Sequence, residues 1–521
     1  MKKPFYITTS IVYASNIPHV GNVYEIILAD SIARFKRLDG YDVFFQTGTD
    51  EHGLKIETTA KKLGRSVVDH VDYITAEIKR IYASLDIAYD QFVRTTDQRH
   101  KIVVEKIFNR LLAQNEIYLG NYRGWYSVSD EAYIFDKEYI EKGIGPSGDK
   151  LILMEEETYF FNLHKYQERL LKHIEENDNF ILPETRKNEM VNTFLQQPLH
   201  DLSITRTTLD WGIPVLGGKH TIYVWIDALT NYISGFDLDE NLTSPMFKKY
   251  WPCNIHLIGK DILRFHTIYW PIMLMALNLE LPKTIFAHPW ILIDKNKMSK
   301  SIGNTIYTDE MLKHFDKDTI RYYVLHEIPY QTDGNLTYEL LIERNNADLA
   351  NTLGNLVNRT IGMVNKYRTG IVKKAFTNKD YQINLRQESV NLLPKIREKM
   401  AEYRVGDALE EVMKLLRSAN KFIDLTEPWN LYRNEKTQKE LDGVLYELIE
   451  TIRFAAVLLQ AFIPATALKI FAQLNCDLQT FKSLEEFGGY PDNTVLNKPE
   501  VLFERFDLKK KMTEILEEKN D

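Results

Sequence analysis

The period of the apolar positions changes twice within the first fifty residues. "FYITTSIVYAS" is rich in β-branched and aromatic residues, the composition of a buried strand. It passes through "NIPHVGN" into "VYEIILADSIARFKRLDG", where Ile26, Ile27, Ala29, Ile32, Ala33 and Phe35 approximate a helical stripe that Gly40 stops. "YDVFFQTGTDEHG" is a second strand ending in a Gly- and Asp-rich turn. Strand, helix and strand in such short order form the βαβ unit of a parallel sheet.

From residue 121 to 205 the pattern shortens. "YRGWYSVSDEAYIFDKEYIEKGIGPSGDKLILMEEETYFF" has brief alternating runs, turns and a charged middle, as an inserted β-rich subdomain would. Strand signals resume at "TIYVWIDAL" and "NIHLIGKD", each leading into a helical stretch, and again at "TIFAHPWILI". Beyond Tyr338 the period is helical, with Leu349, Leu353, Leu356, Val357, Ile361 and Val364 on one face. The expected fold class is α/β: a Rossmann-type parallel sheet, split by a connective insertion and followed by an all-α helix bundle. The divisions fall at 1–120 (first half of the sheet), 121–205 (insertion), 206–337 (second half) and 338–521 (bundle).

Composition narrows the function classes. At 521 residues, 44% hydrophobic and 26% charged, the chain is too long for one core and lacks the polar bias of disorder. No stretch has the roughly 18 consecutive apolar residues of a membrane span. "MKKPFYITTS" alternates like a strand and not like a signal peptide, so no membrane contact is expected. The two cysteines, Cys253 and Cys476, are far apart and outside any CxxC pair. They point to a reducing, cytoplasmic setting and away from a cysteine-built zinc site. Lys and Arg number 65 against 73 Asp and Glu, a net charge of −8, so any nucleic-acid contact must be a local patch.

Two short stretches carry candidate chemistry. In "PHVGN", Pro18 stands where a helix can begin, with His19 and Asn22 three apart in its first turn. A helix start at the carboxyl end of a parallel strand is an anion site, because its unpaired N–H groups and dipole point outward. Gly21 leaves space for a base or phosphate near the backbone. On these residues alone, an ordinary capping turn with an exposed His19 is the better account. "KMSKS", Lys297–Ser301, follows the apolar run "HPWILIDKN" and by itself is a solvated turn. "LGGKH" lacks the distant Gly and the following Ser or Thr of a Walker A loop, which disfavours a P-loop ATPase.

Taken together, "HVGN" after the first strand and "KMSKS" after a late one resemble the paired ATP signatures of class I aminoacyl-tRNA synthetases. There the first signature usually ends in His; here Asn22 stands in its place and also donates a hydrogen bond. The resemblance implies attack of an amino-acid carboxylate on the α-phosphorus of ATP, with Mg²⁺ as the companion ion. Charge then builds on the departing pyrophosphate, where ammonium groups on a mobile loop can meet it. It makes Lys300 the principal donor and Lys297 its helper, with Ser299 and Ser301 adding hydrogen bonds and His19 and Asn22 holding the phosphates from the other side. In "IGKDILRFH" it puts Gly259 against adenosine and Asp261 on the ribose hydroxyls, although a capping Asp explains Asp261 equally well by itself.

Trp225, Ala228 and Tyr232 of "YVWIDALTNYISG" share one helical face, whose usual fate is core packing. The string resembles the Val-Trp-Leu-Asp-Ala-Pro segment of methionyl-tRNA synthetases, and "SIVYAS" resembles their Ala-Leu-Pro-Tyr-Ala-Asn. The resemblance makes Trp225, Ala228, Tyr232, Ile11 and Tyr13 the walls of an L-methionine pocket. It puts Asp50 of "GTDEHG" on the substrate ammonium and His288 of "FAHPW" at the side-chain end. A thioether is soft and polarizable, suited to aromatic edges and weak donors. In the bundle, Asn351, Asn355 and Arg359 form a polar stripe, and Trp429 follows Pro428. From the residues alone these are a solvated face and a half-buried aromatic. The matching family segments read the anticodon CAU of tRNA(Met), which makes Asn355, Arg359 and Trp429 its expected readers.

The likeness covers essentially the whole chain, with two departures. Many methionyl enzymes carry zinc knuckles in the insertion; here "GWYSVSDEA" has Ser127, and no Cys precedes Cys253. Packing of Trp125, Tyr126, Tyr133, Tyr159, Phe160 and Phe161 is expected to hold the insertion without structural zinc. The chain also ends soon after "LFERFD", without the oligonucleotide-binding domain that makes some relatives dimers, so a monomer is expected. The competing readings are a class I synthetase for leucine, valine or cysteine, a non-catalytic tRNA-binding paralogue, and a small nucleotidyltransferase. The first would need an editing insertion or zinc ligands, the second would typically lose the signature lysines, and the third would not need the bundle.

Overall fold

The computed structural model describes residues 2–128, 132–134, 136–146, 148–293, 296–297 and 305–520. Its centre is a parallel sheet in the order Gln91–Arg94, Asp42–Asp50, Pro4–Thr9, Ile255–Gly259, Ile285–His288 and Ile181–Leu182. The short strand Val12–Tyr13 pairs with the end of Asp42–Asp50. All these pairings are parallel, so every strand delivers its carboxyl end to the same edge. The first strand is buried on both faces from Phe5 to Thr9, as a parallel sheet covered by helices requires. The helix Val20–Leu38 that follows is buried almost all round, and the expected stripe from Ile26 to Phe35 lies within that surface. Gly40, at φ +90°, ends it.

The insertion is an antiparallel sheet ordered Ala132–Ile134, Ile117–Ser127, Ile152–Phe161 and Leu202–Ser203. Three features differ from the expectation. The sheet begins at Ile117, before residue 121. Ile181–Leu182, inside the span assigned to the insertion, belongs to the central parallel sheet beside Ile285–His288. A strand of two residues carries no periodicity to read. Conversely, His220–Ile222 of "TIYVWIDAL" forms an antiparallel sheet with Thr205–Arg206 and Pro214–Val215, so the parallel sheet resumes only at Ile255. Gly217 and Gly218, at φ +72° and +87°, make the tight return that turns this segment into a hairpin.

The aromatic residues of the insertion divide. Tyr126 and Phe161 are buried, while Tyr159 and Phe160 are half-buried, Phe160 being stacked on Tyr118 at 5.6 Å. Trp125 faces solvent at 36% exposure, so it is not part of the packing expected of it. The side chain of Tyr133 lies outside the described residues.

Beyond Tyr338 the chain is helical, with one small strand pair, Ile371–Val372 with Thr494–Val495. The six apolar positions from Leu349 to Val364 are all fully buried. Their run contains a π-helical stretch, Asn345–Gly354, in which Thr352 Oγ1 donates to the Ala347 carbonyl, five residues back, at 2.9 Å. No helix among the described residues is long and apolar enough to cross a membrane.

Helix Lys317–Glu327 joins sheet to bundle through Arg321, whose side chain is wholly buried. Its guanidinium donates to Asp30 Oδ2 at 2.7 Å, to the Leu85 carbonyl at 3.1 Å and to the Phe462 carbonyl at 2.9 Å. Arg34 shares the same carboxylate at 2.7 Å but is partly exposed. Breaking a buried pair costs about 3–5 kcal/mol, because a charge is left behind. Arg321→Ala is therefore expected to lose about 3 kcal/mol in a urea melt, and Arg34→Ala much less. Equal losses would refute the special place given to Arg321.

Candidate active site

The carboxyl edge of the parallel sheet gathers the candidate residues. The first strand ends at Thr9 and the chain turns through Ser10 and Ile11; Tyr13 then pairs in register with Asp50, the last residue of its strand. Gly259 and His288 end the next two strands and are also register partners.

Helix Val20–Leu38 starts two residues after Pro18, with His19 as its N-cap. Gly21 N donates to His19 Nδ1 at 3.1 Å, and His19 N donates to Asn22 Oδ1 at 3.3 Å, a reciprocal capping box. The cap engages His19 Nδ1 and Asn22 Oδ1. Val20 N donates to the Ile306 carbonyl at 3.0 Å, and His19 forms a β-bridge with Tyr307. The segment leaving "KMSKS" therefore lies against the start of the "HVGN" helix. The segment entering it, Asn296–Lys297, pairs with Ile291–Ile293. Ser299, Lys300 and Ser301 lie outside the described residues, as does the side chain of Lys297.

Asp261 is exposed and accepts from Trp290 Nε1 at 3.3 Å. A Cβ on Gly259 would stand 2.6 Å from Asp261 Oδ1, so only glycine lets that carboxylate fold back over the strand end. His288 lies 3.8 Å from the same point. Both its ring nitrogens face acceptors, Nδ1 the Pro289 carbonyl at 2.8 Å and Nε2 the Glu25 carboxylate at 2.9 Å. Burial pulls its pKa down, but the hydrogen bond and charge of Glu25 outweigh this and raise it.

His288 is thus bound into the Glu25–Gly259 group, not the aromatic group around Tyr232. The histidine at Tyr232 is His266. Its Nδ1 faces the Ile262 carbonyl at 2.9 Å and so carries the proton, leaving Nε2 to accept from the Tyr232 hydroxyl at 2.6 Å. Burial lowers the His266 pKa to about 4, making the ring neutral at neutral pH. Phe265 lies flat on Trp225, with centroids 3.6 Å apart and planes 4° from parallel. A π-helical turn, Phe265–Tyr269, presents both residues.

Trp225, Ala228 and Tyr232 stand on helix Val224–Ser234, which is tied to the sheet in two ways. Tyr6 Oη donates to the Tyr232 carbonyl at 2.8 Å, and Gln46 Nε2 to the Asn231 carbonyl at 2.9 Å. The tie nearest Asp50 is ionic. Asp227, wholly buried, meets His52 Nδ1 at 2.6 Å and His100 Nε2 at 2.7 Å. Burial alone would raise its pKa, but the charge of His52 and the hydrogen bonds of both histidines hold it at about 2.

In the bundle, Asn351 and Asn355 are exposed, and Arg359 Nη2 reaches Asp424 at 3.4 Å. Glu427, at φ +45°, turns the chain from helix Val405–Thr426 into helix Pro428–Tyr432, which carries a half-buried Trp429.

The family described as tRNA synthetases class I (M) matches residues 5–150 and 144–361, and the anticodon binding domain of methionyl tRNA ligase matches residues 373–514. The methionine--tRNA ligase of Clostridium tetani is 46% identical over 515 residues, covering 99% of this chain and 80% of the relative. That of Enterococcus faecalis is 45% identical over 529 residues, with 99% and 79% covered. The chain belongs to the methionyl-tRNA synthetase family. The Mycobacterium tuberculosis methionyl-tRNA synthetase in complex with methionyl-adenylate superposes with a TM-score of 0.92 at 39% identity, covering 96% of this chain and 100% of that one. The free form of the Mycobacterium tuberculosis enzyme gives 0.85 at 37% identity, with 97% and 99% covered.

Within this methionyl-tRNA synthetase fold, two parts of the candidate site went unassigned in the sequence. Phe265 and His266 end the stretch "IGKDILRFH", which also holds Gly259 and Asp261, the adenosine and ribose candidates. His52 and Asp227 stand inside "GTDEHG" and "YVWIDAL" beside residues that were chosen. A polar residue embedded in each apolar motif was the available signal, but its partner lay far away in the chain.

The pKa of Asp227 is about 2 in the fold against an ordinary 3.8. Its ion pairs therefore stabilise fully above the higher value and are lost as pH falls through the lower one. Asp227→Asn is expected to cost about 2 kcal/mol at neutral pH and to flatten acid unfolding between those values, read by circular dichroism. An unchanged acid limb would show that the carboxylate is not held as described.

Proposed function

We propose that the chain activates L-methionine with ATP to methionyl-adenylate and transfers the methionyl group to tRNA(Met), releasing AMP and diphosphate. The observation that carries this reading is the joining of His19 to Tyr307 at the sheet edge, which brings the flanks of both ATP signatures together. Lys300 and Lys297, with Ser299 and Ser301, would meet the charge developing on pyrophosphate, and His19 and Asn22 would hold the phosphates opposite. Gly259 and Asp261 would take adenosine and ribose, with Mg²⁺ accompanying ATP. Asp50 would hold the substrate ammonium, while Ile11, Tyr13, Trp225, Ala228 and Tyr232 would wall the side chain, with His266 in the place first given to His288.

The test has two stages. Pyrophosphate exchange across all twenty amino acids should respond to methionine; a response to leucine or valine instead would reject the substrate. Trp429→Ala should then leave exchange nearly intact while aminoacylation falls steeply, since a stacked base is worth about 1–3 kcal/mol. Parallel loss of both activities in a destabilised protein would make Trp429 a core residue only.

The insertion offers no cysteine, and its antiparallel ribbon carries buried Tyr126 and Phe161, which supports a subdomain held by packing and not by zinc. The purified protein should remain folded and active after chelation once Mg²⁺ is restored. One zinc per chain by elemental analysis would overturn this.

A further inference from the structure

Next to Trp429 the bundle displays a second aromatic feature. Tyr432 ends the same short helix, three residues on and therefore on the same side, and is 44% exposed. Its ring stacks on that of Tyr367, with centroids 4.5 Å apart and planes at 23°. Tyr367 stands on helix Asn355–Arg368, eight residues beyond Arg359, about 12 Å along the axis. The pair thus continues the surface that Arg359 and Trp429 begin.

Both tyrosines are held from behind. Arg368 donates to the Tyr367 carbonyl at 2.8 Å and to the Gln438 carbonyl at 3.0 Å, and its Nε pairs with Asp442. Gln438 in turn donates to the Tyr432 carbonyl at 2.9 Å. A largely buried ion pair and a side-chain amide therefore fix two backbones whose rings meet at the surface. Fixed rings with an open face are preorganised to receive another flat group without loss of side-chain entropy. Lys366 Nζ is 5.7 Å from the Tyr367 ring centroid, and Arg433 and Lys436 are exposed close by in the chain among Glu427 and Glu435, so cations are at hand for a phosphate on a surface of mixed charge.

We propose that the Tyr367–Tyr432 stack is a second base platform, which takes an unpaired base of the tRNA anticodon loop adjacent to the base on Trp429. The proposal rests on the reading of Trp429 and Arg359 as anticodon contacts and extends it by one subsite. Recognition there is by stacking on the exposed Tyr432 face, so it is tolerant of base identity and adds affinity more than specificity.

The test uses the full chain and an RNA hairpin with a CAU anticodon loop, carrying 2-aminopurine at successive loop positions. Wild type should quench one position next to that quenched by Trp429. Tyr432→Ala should abolish that quenching and weaken hairpin binding by at least about five-fold, while Tyr432→Phe retains both. The salt dependence of binding should be the same in all three proteins, because no phosphate contact has been removed. Wild-type affinity and quenching in Tyr432→Ala, with binding weakened in Trp429→Ala, would overturn the second platform and leave the anticodon reading standing. Full binding in both alanine variants would remove the two together. A reduced salt slope, or a phenylalanine variant as weak as alanine, would assign Tyr432 a polar contact and reject stacking. A fall in melting temperature that matches the loss of binding would make the pair a structural tie.

Discussion

Asp30 is the carboxylate on which the two parts of the chain meet. It is wholly buried and accepts from Arg34, Arg321 and the Ala88 backbone. A buried guanidinium carries a desolvation cost of several kcal/mol, which is offset here because Arg321 also donates to carbonyls at Leu85 and Phe462. Those acceptors come from three separate parts of the chain, so the pairing fixes orientation where apolar packing alone would allow sliding. The helix that carries Asp30 also reaches the candidate site. Its cap is His19, its next turn holds Glu25 against Ser10 and His288, and Asp30 lies about 15 Å from its start. Nucleotide end, strand edge and helical domain are therefore registered on one rigid element.

The sequence showed the long elements and hid the short ones. The first strand, the helix after it and the run from Leu349 to Val364 were legible because apolar residues sustain one period over several turns. Ile181–Leu182 was not, since its place is fixed by Ile285 and Phe286 a hundred residues away. The π-helical turn at Phe265 was invisible for a related reason: one extra residue per turn changes no composition, yet it decides that Phe265 meets Trp225 and His266 meets Tyr232. Resemblance pointed to His288, the last residue of its strand, whereas the histidine hydrogen-bonded to Tyr232 is His266, seven residues past the strand Ile255–Gly259.

Three buried histidine environments at one sheet edge show how partners determine charge. His266 faces a carbonyl and a hydroxyl, and burial outweighs the Ile262 carbonyl and the charge of Asp261, lowering its pKa to about 4. His288 faces a carbonyl and a carboxylate, and its basicity rises in spite of burial. Burial would raise the pKa of Asp227, but the charge and hydrogen bonds of its two histidine partners, His52 and His100, hold it at about 2. The distinction suits the proposed chemistry. A neutral imidazole and a phenol would meet a thioether without a formal charge of their own, so that it would lose little on leaving water. The Glu25–His288 pair lies beside Gly259 on the side proposed for the nucleotide, and the Glu25 charge still reaches Tyr232.

A net charge of −8 makes the chain a poor attractor of RNA at long range, and screening over about 8 Å at physiological ionic strength confines any attraction to the contact itself. Several cations of the bundle are already paired: Arg359 with Asp424, Arg368 with Asp442 and Arg417 with Glu410. Affinity for an anticodon loop must then come mainly from surfaces that do not depend on net charge. Aromatic faces meet that requirement, because unpaired bases exchange poor stacking in water for a fixed ring. On the proposed reading, the half-buried Trp429 and the exposed Tyr432 would meet that requirement. Exposed apolar area on a monomeric surface is otherwise a liability. Here Asp442 and Gln438 hold that area rigidly in place.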